Sequence, residues 1–115
     1  MNKTEFIEQY RAIDDIDYDA YMDEATQVME ESYRCDGAVK KLMLAQEECA
    51  ELILAISKHM RGYPDIDMDI LEEMADVTIM LGYIGSMLGF TKNDLDKAIL
   101  VKIRREKKRL DEMQK

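Results

Sequence analysis

Two amphipathic stripes, separated by the only proline, constrain the fold of this chain more than any other feature. Apolar residues recur three and four positions apart between residues 42 and 56 and again between residues 70 and 88. This spacing places them along one side of an α-helix, and Gly62 and Pro64 interrupt the pattern between them. The two segments therefore predict an antiparallel helix pair, which is half of a bundle. The stripes consist of Leu42, Ala45, Cys49, Leu52 and Ile56, then Ile70, Met74, Val77, Leu81, Ile84 and Leu88.

The rest of the chain also favours helices. Ala, Leu, Met, Glu, Lys and Gln dominate, and no segment has the alternating β-branched pattern of a strand. We predict helices over residues 3–13, 17–34, 38–60, 67–88 and 92–112, with Asp36-Gly37 separating the second from the third. Gly89 fits the end of the fourth helix, and Thr91 with Asp94 fits a capping box for the fifth. The predicted fold class is all-α, a bundle of four to five helices.

The length of 115 residues suits one domain. We expect residues 1–35 to form an N-terminal helical extension and residues 38–112 to form the core of that domain. A chain of this size buries about two-thirds of the surface that its unfolded state exposes, so an apolar helix side left uncovered favours self-association. A homodimer and a homotetramer both fit, and we expect one of them to complete the bundle.

The charge of the chain limits its partners. Its 25 acidic and 16 basic residues give a formal net charge of -9, which opposes binding to nucleic acids and to anionic membranes. No apolar run is long enough to cross a bilayer. Cys35 and Cys49 are the only cysteines, and no basic start precedes an apolar stretch, so we expect a cytoplasmic protein without disulfides.

Two pairs of carboxylates share one spacing. Glu48 and Glu51 lie three positions apart in one predicted helix, and Glu73 and Asp76 repeat the spacing in the next. Each pair lies beside the apolar stripe of its helix, so the four carboxylates should flank the contact between the helices. Like charges near a core need a compensating cation. Oxygen ligands of this kind suit Mg²⁺, with Mn²⁺ as a substitute, and such a metal suits phosphate ester or anhydride chemistry.

The segments Glu47-Glu48-Cys49-Ala50-Glu51 and Glu73-Met74-Ala75-Asp76 resemble the EExxE…ExxD signature of the MazG-like all-α nucleoside triphosphate pyrophosphohydrolases. The resemblance covers about residues 38 to 110 and leaves residues 1–35 outside. It implies Mg²⁺-dependent hydrolysis of an NTP or dNTP between the α and β phosphates, which yields the monophosphate and pyrophosphate. It also implies that Glu48, Glu51, Glu73 and Asp76 hold the metal.

Five further residues are candidates for the site. Glu47 would orient the attacking water as a general base, and Lys58 would neutralise a phosphate. Lys102 and Arg105 resemble a basic pair in the last helix of such proteins that would bind the triphosphate. Tyr83 would stack on the base. A solvated surface position is the alternative for the four charged residues, and a core or interface position is the alternative for Tyr83.

Other functions fit the sequence in part. A di-iron carboxylate protein needs Glu-x-x-His on two helices, but the only histidine is His59, and Ile56 lies three positions before it. A phosphoribosyl-ATP pyrophosphohydrolase shares the carboxylate pattern. A non-enzymatic interaction module would use the Met-rich amphipathic helices without any metal. Metal-dependent turnover distinguishes the enzymes from the module.

Overall fold

The computed structural model describes residues 1–115 as four α-helices and no strands, which confirms the all-α prediction. The helices are α1 (Lys3–Arg11), α2 (Tyr18–Met60), α3 (Asp67–Leu88) and α4 (Lys92–Met113). None of the four helices is long and apolar enough to cross a bilayer by itself. Only α3 and α4 taken together reach the length and composition that a membrane span requires.

Helix α2 contains the segments that were predicted as two helices. Gly37 alone leaves helical geometry within it, with φ 80° and ψ 172°. A positive φ is strained for residues that carry a Cβ, and no atom lies within 4 Å of a Cβ built at Gly37, so the backbone conformation alone requires glycine here. We term residues 18–36 the N-terminal arm of α2 and residues 38–60 its C-terminal arm.

The ends of the helices follow the local sequence. Gly62 after α2 and Gly89 after α3 have φ of 82° and 74°. The residue after each glycine donates its N–H to the carbonyl five positions back, at 3.1 Å and 2.8 Å, which is the Schellman arrangement. The predicted capping box of Thr91 and Asp94 is confirmed at the start of α4.

Two compact units divide the chain, residues 1–84 and residues 85–115. The boundary falls near the end of α3. Within the first unit, Lys3 Nζ donates to the Asp65 carbonyl at 2.8 Å and pairs with Asp69 at 3.3 Å. These contacts tie α1 to the loop before α3 and to its first turn.

The C-terminal arm of α2 and α3 are antiparallel neighbours in the first unit. Lys41 lies against Tyr83, and Glu48 lies near Asp76, so residue numbers rise along one helix as they fall along the other. The side chains along this contact are buried or half-buried at helical spacing. We term this contact the seam. It comprises Lys41, Ala45, Glu48, Leu52 and Ala55 on α2, and Asp69, Glu73, Asp76, Met80 and Tyr83 on α3.

The position of the seam corrects the prediction that both apolar stripes lie in the core. Leu42 and Ile56 are 45% and 42% exposed, and Met74 and Leu81 are 51% and 52% exposed. On α3 the seam lies one residue earlier than the stripe, a rotation of about 100°, whereas on α2 Ala45 and Leu52 belong to both the stripe and the seam. Periodicity identifies the apolar side of a helix, but it does not say what covers that side. As a result, Glu48, Glu73 and Asp76 lie in the seam and not beside it.

The apolar stripes share one side of the helix pair. Apart from Ala45 and Leu52, which lie in the seam, and Leu88, which lies beyond it, their residues follow the seam residues by one position on both helices. In an antiparallel pair this rotation points to the same side. On the opposite side, the Met29 side chain would be 3.1 Å from a Cβ at Gly82, so the N-terminal arm of α2 lies against that side near Gly82. We term the uncovered side the open face. It comprises Leu42, Gln46, Cys49, Ile53, Ile56, Ile70, Met74, Val77, Leu81 and Ile84, none of which is charged.

Candidate metal centre

Three carboxylates meet in the seam. One oxygen each from Glu48, Glu73 and Asp76 lie within 4.8 Å of one another. The three-residue spacing places Glu73 and Asp76 on one side of α3, and the antiparallel pairing brings Glu48 of α2 to the same point. All three side chains are half-buried. The structure therefore brings together three of the four predicted metal ligands, from both helices.

Glu73 is the least satisfied of these carboxylates. Its Oε2 is buried and has no hydrogen-bond partner. Burial, followed by the charges of Asp76 and Glu48, raises the pKa of Glu73 to about 7. A buried polar atom without a partner loses its hydration and gains nothing in return. A cation at this point would give Glu73 Oε2 the partner that it lacks.

No basic side chain compensates the cluster. Burial, followed by the charge of Asp76, raises the pKa of Glu48 above its ordinary value. None of the six ion pairs in the molecule includes Glu48, Glu73 or Asp76. A hard divalent cation such as Mg²⁺ or Mn²⁺ takes carboxylate oxygens and water as ligands, so this donor set fits such an ion.

Glu51, the fourth predicted ligand, lies outside this group of three. Its side chain is exposed. Its charge nevertheless raises the pKa of both Glu48 and Glu73, so it contributes to the negative potential of the cluster. Whether Glu51 holds metal stays a prediction.

The two predicted catalytic residues lie on the same arm of α2. Glu47 is exposed, and its charge is among the causes that raise the pKa of Glu48. Lys58 is half-buried and belongs to none of the six ion pairs. The ammonium group of Lys58 therefore has no carboxylate partner in the protein. The roles of Glu47 as a general base and of Lys58 as a phosphate contact stay predictions.

Tyr83 is buried in the seam, with 6% of its surface exposed. Lys41 Nζ lies 4.4 Å from the centroid of its ring and covers one ring face. The ring therefore exposes little surface on which a nucleotide base could stack, and the stacking role stays a prediction.

Lys102 and Arg105 lie one turn apart on α4, in the second unit, and both are exposed. That unit contains nine basic and five acidic residues, whereas the first contains seven basic and twenty acidic. Lys102 also borders a shallow groove of about 430 Å³ along α4. The groove is otherwise lined by Leu95, Ala98, Ile99, Ile103 and Glu106. Binding of the triphosphate by this pair stays a prediction.

Sequence reasoning missed a second polar group in the seam. Lys41 is 4% exposed, and its Nζ donates to Ser32 Oγ at 2.6 Å and to Asp36 Oδ2 at 2.9 Å. We term Lys41, Ser32, Asp36 and Tyr83 the lysine cluster. One signal was available: Lys41 precedes Glu48 by seven residues, which is two turns, so both lie on one side of the helix.

The fold and the site together define an all-α chain with an uncompensated carboxylate cluster between two antiparallel helices. No family model, curated protein or solved structure matches the chain. The resemblance to the MazG-like enzymes therefore depends on the signature residues themselves.

Proposed function

We propose that the chain is a Mg²⁺-dependent nucleoside triphosphate pyrophosphohydrolase that converts an NTP or dNTP to the monophosphate and pyrophosphate. One observation carries the proposal: three carboxylates from two helices lie within 4.8 Å of one another, and the buried Oε2 of Glu73 has no partner. The same residues carry the MazG-like signature. A cytoplasmic location, where nucleotides and Mg²⁺ are abundant, belongs to this proposal.

In this proposal, Glu48, Glu73 and Asp76 hold the metal and Glu51 joins them. When bound, Mg²⁺ neutralises phosphate charge and lowers the pKa of a coordinated water. The half-buried position of the carboxylates limits the water around them, which strengthens their attraction for a cation. Mn²⁺ has the same preference for oxygen ligands and would substitute.

The remaining residues act on the substrate. Glu47, next to the ligand Glu48, accepts the proton of the attacking water. Lys58 uses its unpaired ammonium to neutralise the phosphate on which charge develops. Lys102 and Arg105 on the basic α4 bind the outer phosphates, and Tyr83 stacks on the base.

Pyrophosphate release tests the proposal. The purified chain would be incubated with canonical and modified NTPs, dNTPs and phosphoribosyl-ATP, with Mg²⁺ and then with excess EDTA. We expect Mg²⁺-dependent release of pyrophosphate with a monophosphate product. Asp76→Asn protein provides a matched control that removes one charge and keeps the size of the side chain.

Each other outcome identifies an alternative. Turnover of phosphoribosyl-ATP alone would indicate the related pyrophosphohydrolase activity. No turnover by a folded, helical sample, together with no effect of metal on its melting temperature, would refute the enzyme and favour an interaction module. The open face is the observation that supports such a module, because it leaves apolar side chains accessible for a partner.

We also propose that a second copy of the chain covers the open face, as a dimer or as part of a tetramer. The open face carries one row of mainly apolar side chains on each of its two helices. Two identical open faces can pack against each other, and the four helices then enclose one core. In a chain of net charge -9, this face contains no charged residue. Two copies can therefore meet here without bringing like charges together.

Neighbouring residues provide a matched test of this interface. Leu42 on the open face is 45% exposed, and Met43, which points elsewhere, is 58% exposed. We expect Leu42→Lys to shift the chain towards monomer in sedimentation velocity, because it places a charge inside the interface, while Met43→Lys leaves the oligomer intact. A monomeric wild-type chain, or equal effects of both substitutions, would refute the interface.

A further inference from the structure

We propose that Lys41 is a positioning residue that sets the axial register of α2 against α3 and so holds the carboxylates of the metal centre opposite one another. Only the predicted effect of Lys41 on metal binding rests on the proposed function. The register itself is a property of the helix pair.

Lys41 has more specific partners than any other seam residue. Its ammonium donates to Ser32 Oγ at 2.6 Å and Asp36 Oδ2 at 2.9 Å, and it lies 4.4 Å from the centroid of the Tyr83 ring. Both Lys41 and Tyr83 are almost fully buried, at 4% and 6% exposed. A buried ammonium that leaves these partners would lose all three interactions without reaching water.

The contact of Lys41 with Tyr83 has the same register as the carboxylate cluster. Lys41 lies seven residues before Glu48, and Tyr83 lies seven residues after Asp76. Seven residues span about 10 Å of helix. The two contacts are therefore two levels of one antiparallel pairing, and a slip of one helix along the other would disrupt both.

The seam between these levels offers little to prevent such a slip. Ala45 presents a single methyl group, and Met80 is flexible enough to fit many neighbours. The three carboxylates repel one another, which favours any movement that separates them. The directed contacts of Lys41 oppose that movement.

The break at Gly37 allows Lys41 to bind residues of its own helix. Asp36 precedes the break and Lys41 follows it, and the change of direction brings Ser32 and Asp36 to the ammonium. Lys41 thus joins both arms of α2 to α3. Lys40 also pairs with Asp36, at 3.2 Å, but its side chain is 61% exposed and does not enter the seam.

Lys40 provides the matched control. Lys41→Met and Lys40→Met each remove one positive charge, from adjacent residues. Each also removes one ion pair with Asp36. We expect Lys41→Met to weaken Mn²⁺ binding, measured by the electron paramagnetic resonance of free Mn²⁺, by about tenfold, as typical for residues that orient metal ligands. We expect Lys40→Met to bind as the wild type does, and Lys41→Arg, which keeps a cation over the ring, to recover most of the affinity.

A second measurement follows the register without any metal. Spin labels would be attached to the exposed positions of Ala50→Cys and Ala75→Cys, in a chain with Cys35→Ser and Cys49→Ser, diluted with unlabelled protein. We expect Lys41→Met to broaden or shift the distance between the labels by up to one helical turn, about 5.4 Å, and Lys40→Met to leave it unchanged. Ile66→Ala, which truncates a buried residue outside the helices, shows what destabilisation alone does to both readings.

The two readings separate the possible failures. A changed distance with weaker Mn²⁺ binding in Lys41→Met supports the positioning role. A distance that is unchanged in Lys41→Met, or that changes equally in Ile66→Ala, overturns it. Wild-type protein that binds no Mn²⁺ refutes the proposed metal centre, while the distance alone still decides whether Lys41 sets the register.

Discussion

Two polar groups lie about 10 Å apart in the same seam, and they differ in how their charges are compensated. The lysine cluster contains its own counter-charge, since Lys41 pairs with Asp36 at 2.9 Å and lies over the ring of Tyr83. The carboxylate cluster contains three acids, no base within ion-pairing distance and one buried oxygen without a partner. One helix pair thus contains a polar group whose charges are compensated and another whose charges are not.

On the proposed function, this difference separates a structural polar group from one that binds a cation. Charges buried for structural reasons are normally paired, because an isolated charge costs several kcal/mol. The lysine cluster follows that rule, and the carboxylate cluster departs from it. The departure lies at the position where we propose that a cation binds.

The largest expected effect is on turnover. We expect Glu48→Gln or Asp76→Asn to reduce pyrophosphate release by at least about 100-fold while circular dichroism stays helical, because each removes a proposed metal ligand. Glu72→Gln is the matched control, since Glu72 is a half-buried carboxylate outside the cluster. Full activity in Glu48→Gln or Asp76→Asn would refute the comparison between the two clusters.

The next effect is on melting temperature. Mg²⁺ or Mn²⁺ at about 100 times its Kd should stabilise the protein by about 2.7 kcal/mol, which corresponds to roughly 10 °C for a chain of this size. EDTA should reverse the change. Asp76→Asn protein should respond weakly, and an equal response there would place the bound metal elsewhere.

A smaller effect is expected without metal. Glu73→Gln should raise the melting temperature by about 2–5 °C in EDTA, because it removes a charge that is repelled by Asp76 and Glu48. Asp36→Asn should lower it, because it removes the partner of Lys41. Differential scanning calorimetry measures both, and changes of the same sign would contradict the contrast between the clusters.

The smallest effect is on the pH dependence of stability in EDTA. The pKa of Glu73 rises from 4.5 to about 7 on folding, so the folded state favours the protonated carboxyl. The contribution of Glu73 to the free energy of unfolding is therefore lost as pH rises from 4.5 to about 7. The pKa of Asp36 falls below 3.8, chiefly through its hydrogen bond from Lys41, so its contribution is lost as pH falls through the folded value. Urea unfolding of Glu73→Gln should lack the first slope and Asp36→Asn should lack the second.

Local signals in the sequence were sufficient for most of the fold. Gly62, Gly89 and the Thr91 capping box specify where helices end and begin through backbone geometry and hydrogen bonds to near neighbours. Helix α3 accordingly has the bounds that were predicted, residues 67–88. Features of this kind depend on residues a few positions apart, so the sequence contains them in full.

The seam could be predicted only in part, because it depends on contacts between distant residues. The three-residue spacing correctly paired Glu73 with Asp76, and the antiparallel arrangement brought Glu48 to them. The apolar pattern then suggested a core at Leu42 and Leu81, since it could not show that the N-terminal arm of α2 approaches the opposite side of α3 at Gly82. The burial of Lys41 depends on that same arm and was missed for the same reason.

The open face also determines how the protein should behave on dilution. If a second copy covers it, each folded chain depends on meeting another, and the free energy of unfolding depends on protein concentration. A hundredfold dilution would then remove about 2.7 kcal/mol of apparent stability per dimer. Specific activity would fall in very dilute assays, and adding an inactive Asp76→Asn chain would restore the activity of the wild-type chains that it joins.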